Sequence, residues 1–222
     1  MTTHPTRFAL AIATALFLFA QSLFAFDSPL SEQAVREAYL LGQRRDETMA
    51  RALDKYKLYL DRPETGPYIA SVTFFTPFAL AVQSSSQHAA GYSAQQAQID
   101  HRSQKESVKV IVEIQLTDSY SNLIVRPTGP RSDSPTGFAL RPYDFWKTFD
   151  VHVAVADEAI EPFSSYGEPT TLCTQDACNL TGATITLELA ADAFDNTTTA
   201  SVLITPPEGD PVQVNFDLSV LR

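Results

Sequence analysis

From Tyr68 to the end of the chain, apolar side chains recur at nearly every second residue, and that beat leaves few folds open. A two-residue period places successive side chains on opposite faces of an extended strand, so that one face enters a core while the other meets water. The cleanest case is Val108, Val110, Val112, Ile114 and Leu116, with Lys109, Glu113 and Gln115 between them. The same beat marks Tyr68 to Phe75, continues after Pro77 through Phe78, Leu80 and Val82, and returns around Val151, Ile185, Val202 and Val214. Pro77 predicts a bend or bulge between two strand halves, because proline cannot donate to a central ladder. Thr205-Pro-Pro-Glu-Gly-Asp-Pro211 predicts the turn of a closing hairpin.

Short strands separated by Pro, Gly, Asn and Asp predict a mainly β fold, an antiparallel β-sandwich of immunoglobulin-like or other Greek-key type. Trp146 precedes both cysteines, so the Cys-Trp-Cys order of antibody domains is absent and the likeness is one of architecture only. Ahead of the strands, Val35, Tyr39, Met49, Leu53, Tyr56 and Leu60 recur at three- and four-residue steps, predicting an amphipathic helix over about residues 31–60, with Gly42 and Asp46 interrupting its stripe. Asp61 to Pro67 ends it. Ser93 followed by Gln96 is a capping box that starts one short additional helix, over about residues 93–102. Residues 117–144 read as a long irregular region rich in Pro, Gly and Arg, a length uncommon in compact domains and often functional.

At the front of the chain, Arg7 leads into the uncharged run Phe8 to Ala20, the core of an export signal. The run is shorter than the roughly 20 apolar residues that span a bilayer, so cleavage after Ala25 or Ser22 is expected, with no stable membrane span in the mature chain. The expected division is a leader over 1–25, an N-terminal helical segment over 26–66 packing on the domain, and a β-sandwich domain over 67–222. The expected location is periplasmic or extracellular. Such a compartment is oxidising, and Cys173 and Cys178 are then expected to form a local disulfide, since their spacing is too wide for a CxxC redox motif and no zinc partner accompanies them. Without the leader, 26 acidic side chains face 15 basic ones, a formal charge of −11. That field repels nucleic-acid backbones and anionic lipid surfaces.

Standard catalytic, nucleotide and metal motifs are absent, and no cofactor is implied. His88 and His101, near Asp100, could serve as a metal site or as a base with its orienter, yet their spacing matches no ligand pattern. His152 alternates with Asp150 on the polar side of its strand. Acidic residues gather at Asp157, Glu158 and Glu161, at Asp192 and Asp195, and at Glu208 and Asp210, each in a predicted loop, without the ordered ligand alternation of a calcium loop. Asn179-Leu-Thr181 and Asn196-Thr-Thr198 match the glycosylation acceptor pattern.

The least bland stretch carries Arg126, Arg131 and Arg141 followed by Tyr143 and Trp146. Arginine forks and aromatic faces are enriched at binding hot spots, so these five residues form the expected contact site for a protein or glycan partner. The competing reading has Phe145 or Trp146 plugging the core while the arginines pair with Asp133 and Asp144. The expected function is therefore an exported, non-catalytic binding module; the alternative is a secreted hydrolase acting on glycans or peptides through loop carboxylates and a histidine.

Overall fold

The computed structural model describes residues 26–88, 91–127, 136–175, 177–195 and 197–222, with the side chains of residues 126, 127 and 136 excepted. The expected leader and Arg131 lie outside the described residues. Strand takes 40% of the chain and helix 29%, which makes the class mainly β.

The N-terminal helix is two helices. Ser31 caps α1 (Glu32–Arg44) through a hydrogen bond from the Ala34 amide to its hydroxyl, and Asp46 caps α2 (Glu47–Asp54) by accepting from the Thr48 and Met49 amides. Between them Arg45 sits in the left-handed region at φ 50°. A carboxylate offered to two free amides stabilises a new helix start more than the interior of an old one, which is why the single helix expected over residues 31–60 breaks at Asp46. The last part of that span is strand β1 (Lys57–Tyr59), paired with β2 (Tyr68–Phe75).

The strand expected after Pro77 is instead helix α3 (Pro77–Gln87). Thr76 caps it and Pro77 occupies its first turn, where a missing amide costs nothing. Phe78 and Val82 are spaced by four, a separation that shares a face in a helix as well as in a strand. Both are buried against α1, while Leu80 between them is only partly covered. Gly42 permits that contact, since a Cβ there would lie 2.3 Å from the Val82 carbonyl oxygen. Helix α4 (Ala94–Ser103) starts at its Ser93 cap as expected, and completes this helical cluster.

The first sheet has the order β1, β2, β3 (Ser107–Gln115), then β9 (Cys178–Ala190) and β8 (Ser164–Cys173). The second runs β11 (Val212–Asp217), β10 (Thr199–Thr205), β6 (Asp150–Val155) and β7 (Glu158–Ile160). All pairings are antiparallel, and neither sheet closes into a barrel among the described residues. In β3 the alternation is as expected, with Val108, Val110, Val112 and Ile114 buried. Side chains of both sheets share one apolar cluster, and Phe74 of β2 meets Phe216 of β11 at a 5.3 Å ring separation. Cys173 and Cys178 are bonded across the end of the β8–β9 hairpin. Among the described residues no helix is long and apolar enough to cross a membrane.

The expected irregular region contains regular structure. Strands β4 (Leu123–Pro127) and β5 (Thr136–Leu140) pair as a separate two-stranded ribbon, with Leu123 opposite Leu140 and Val125 opposite Phe138.

Candidate partner-binding site

The ribbon rises from a packed aromatic base. Tyr120, just past β3, is buried against Phe145 and Phe149 at ring separations of 6.3 and 6.4 Å. The Thr117 hydroxyl accepts from the Tyr120 amide and donates to the Gly66 carbonyl at 2.6 Å. The guanidinium of Arg141 lies 3.5 Å from the Tyr120 ring centroid, and its Nε donates to the Ser121 carbonyl at 2.8 Å. Arg141 therefore holds the two ends of the ribbon together through one planar group. Burial pushes the Tyr120 phenol up and Glu208 adds to the rise, with the Arg141 charge acting against both.

Beyond that base the usual polarity of a surface strand is inverted. Leu123, Val125, Phe138 and Leu140 share one face by register, and they are 52, 62, 79 and 72% exposed. Ile124 and Ala139, on the other face, are partly covered. Four large apolar side chains in one contiguous block on a two-stranded ribbon form the kind of patch that marks a contact surface.

Of the residues expected to form the site, Arg131 lies outside the described residues, and the other four fall in the ribbon or in the segment that follows it. Arg126 stands in β4 opposite Gly137. Arg141 is half-buried at the base, and Tyr143 is 56% exposed beside it. Trp146 is half-buried and lies on Gly167 of β8, where an added Cβ would come 2.5 Å from its indole. Phe145 is the buried plug, and Lys147, at 3.2 Å, is the cation that pairs with Asp144. The four apolar ribbon residues were not singled out in the sequence, although Leu-Ile-Val and Phe-Ala-Leu flanking a Pro- and Gly-rich stretch have the grammar of a hairpin.

The histidines do not converge. His88 stacks on Tyr92 at 3.9 Å, His152 pairs with Asp150 at 2.9 Å on the surface, and His101 pairs with Glu106 at 2.9 Å. Glu106 also accepts from the Ser28 hydroxyl and from the Leu30 amide, so it fastens residues 28–30 to the end of α4. Burial would raise its carboxyl, but the hydrogen bonds from His101, Leu30 and Ser28 hold it below the ordinary glutamate value. Asp100 accepts from Tyr92, whose phenol burial and that carboxylate push up to about 12. Two recesses adjoin these groups: one beside Tyr92, Asp100 and His101 holds about 100 Å³, and a shallower one bordered by Ser28, His101, Glu106 and Asp192 holds about 420 Å³.

No protein-family model and no curated protein matches the chain. Of the acidic groups, Asp157 belongs to the β6–β7 turn, where it and Ala156 both have positive φ, Glu158 opens β7 opposite Val155, and Asp192 lies 3.9 Å from Lys105. Glu208 and Asp210 line a groove of about 460 Å³ between the β10–β11 turn and the loop after β1. Among the described residues no group of three or more His, Cys, Asp or Glu side chains is placed to hold a metal ion.

Proposed function

We propose that this chain is an exported, non-catalytic interaction module whose contact surface is the β4–β5 ribbon and its arginine and aromatic base. We read the two sheets as the layers of a Greek-key sandwich, a rigid support for a protruding loop element. One observation carries the reading: Leu123, Val125, Phe138 and Leu140 form an exposed block on a separate ribbon held at its base by Arg141. Leaving so much apolar area in water costs free energy at about 25 cal/mol per Å², and burying it against a partner recovers that cost. The bonded Cys173 and Cys178 are compatible with an oxidising compartment. Tyr143, exposed next to the base, supplies the amphipathic contact common at interfaces.

The test is photo-cross-linking in the cell of origin, with a benzophenone amino acid placed at Phe138, at Tyr143, and at Leu40 of α1 as an exposed control. The expected result is discrete cross-linked protein products from positions 138 and 143 and none from 40, with the exported chain beginning at Phe26 or Leu23 by mass spectrometry. Equal yields from all three positions, or a chain that keeps its leader in the cytosol, would sink the proposal. Envelope polysaccharides are screened in parallel, because Tyr143 and Trp146 also suit sugar faces.

A further inference from the structure

We infer that Cys173 and Cys178 form a thiol–disulfide exchange site, and that its reduction opens the tip of the β8–β9 hairpin while the rest of the fold stays closed. Neither the ribbon nor its partner enters this assignment.

Over most of its length β9 is held on both sides. It pairs with β3 from Gly182 to Ala190, and the Leu116 amide extends that contact to the Thr181 carbonyl at 2.8 Å. Past that point only β8 lies beside it, with Thr171 opposite Leu180, Leu172 opposite Asn179 and Cys173 opposite Cys178. The ladder also shifts register between Thr170 and Thr171, which sets these pairs apart from the sheet. A two-stranded hairpin by itself is at best marginally stable in water.

The tip also buries little. Thr171, Leu172, Cys173, Cys178 and Asn179 are all exposed, Leu172 to 64%. Leu180 is the one buried side chain among these pairs, and it belongs to the core shared by the two sheets. Across the turn the Thr174 amide and hydroxyl both donate to the Ala177 carbonyl, at 2.8 and 3.1 Å. Bonds of that kind at an exposed end trade places with water at little net cost. The disulfide is therefore the link that keeps the tip closed, and Leu180 and Thr181 mark where an opening stops.

The same exposure makes the bond reachable. Exchange requires a thiolate to approach one of the two sulfurs, and both cysteines stand at the end of the hairpin, clear of both apolar clusters. The reactant is a dithiol. One of its thiolates attacks a cysteine sulfur, the Cys173–Cys178 bond breaks, and the other cysteine leaves as a thiolate that takes up a proton. The second thiol of the reactant then loses its proton and attacks the mixed disulfide. The first cysteine leaves and is protonated in turn, and the reactant closes its own disulfide. Two electrons and two protons pass from the dithiol to the pair.

Residues 164–181 contain no Lys, Arg or His, so the hairpin's own sequence supplies no cation to stabilise a thiolate. That suits a site that answers to the redox state around it more than a catalyst that sets it. A staple packed into a core behaves differently, because reductant reaches it only when the surrounding fold opens. Here reduction requires no opening of either sheet.

The experiment treats the protein purified from its cell of origin with dithiothreitol at neutral pH without denaturant. Free thiols are trapped with iodoacetamide, and amide exchange is followed by mass spectrometry. Both cysteines are expected to be alkylated, at a rate within about tenfold of the free oxidised peptide Cys-Thr-Gln-Asp-Ala-Cys. In the reduced protein, exchange at residues 171–179 is expected to rise about tenfold or more, while residues 108–114 and 183–189 keep their protection. Cys173→Ser with Cys178→Ser is expected to show the reduced pattern with or without dithiothreitol, and oxidised glutathione is expected to return the reduced wild type to its starting pattern. Slower reduction than that overturns the inference, because the bond is then sheltered by the fold. An unchanged tip after reduction overturns it by making the bond idle. Loss of protection at 108–114, in the reduced protein or in the double variant, overturns it by making the bond part of the global fold.

Discussion

The guanidinium of Arg141 lies over the ring of Tyr120, 3.5 Å from its centroid, and through its Nε also donates to the carbonyl of Ser121. One side chain at the end of β5 thereby holds the residues that lead into β4. Replacing Arg141 with Ala removes the cation over the ring and leaves the Ser121 carbonyl to water, an expected loss of about 1 to 2 kcal/mol in stability. Arg141→Lys recovers only part of it, since an ammonium cannot stack and bond in plane at once. Denaturant unfolding reads the loss, and faster amide exchange confined to 123–127 and 136–140 locates it. Stability equal to wild type in both variants would remove Arg141 as the base clamp.

Trp146 and Gly167 make a second falsifiable pair. A Cβ at position 167 would lie 2.5 Å from the indole, so Gly167→Ala is expected to cost about 1 to 3 kcal/mol through overpacking. With Trp146→Ala already in place the same change meets open space and costs far less. A double-mutant cycle measures the difference, and additive effects would mean that the two residues do not touch.

Acid sensitivity should report on Glu106. Its carboxyl is lowered in the fold, with burial outweighed by the hydrogen bonds from His101, the Leu30 amide and Ser28. A depressed folded value contributes stability that is fully present above the unfolded value, about 4 to 5, and is lost as pH falls through the folded one. Glu106→Gln should therefore be less stable than wild type at neutral pH and should show a flatter decline below about pH 4.5. Parallel stability curves for the two proteins across that window would refute the assignment.

The disulfide should matter little to the global fold. Cys173 and Cys178 are five residues apart, and so short a loop removes little entropy from the unfolded chain, about 2 kcal/mol at most. Cys173→Ala with Cys178→Ala should still unfold cooperatively, at a midpoint a few degrees lower. Loss of cooperative unfolding would show that the hairpin end is a structural keystone instead.

Some of this molecule was readable residue by residue. The alternation of β3, the Ser93 cap, the closing hairpin and the local disulfide each follow from neighbours in sequence, because strand faces, caps and tight turns are short-range physics. Phe78, Leu80 and Val82 show where the reading failed: residues four apart share a face in either conformation, and the cap at Thr76 with Pro77 decided for helix. Asp46 shows a related failure, since a carboxylate within an amphipathic stripe reads as an interruption or as a new start depending on whether its neighbour turns left-handed.

What the sequence determined by itself was class and tendency: an acidic, strand-rich chain in which Arg126, Arg131 and Arg141 stand close to Tyr143, Phe145 and Trp146. What only the tertiary structure decided was which apolar residues find a core. Val110 and Val125 are equally apolar and both lie in strands, yet one is buried between sheets and the other is 62% exposed. Burial depends on what lies across from a strand, and that partner is set by long-range pairing that no local pattern encodes.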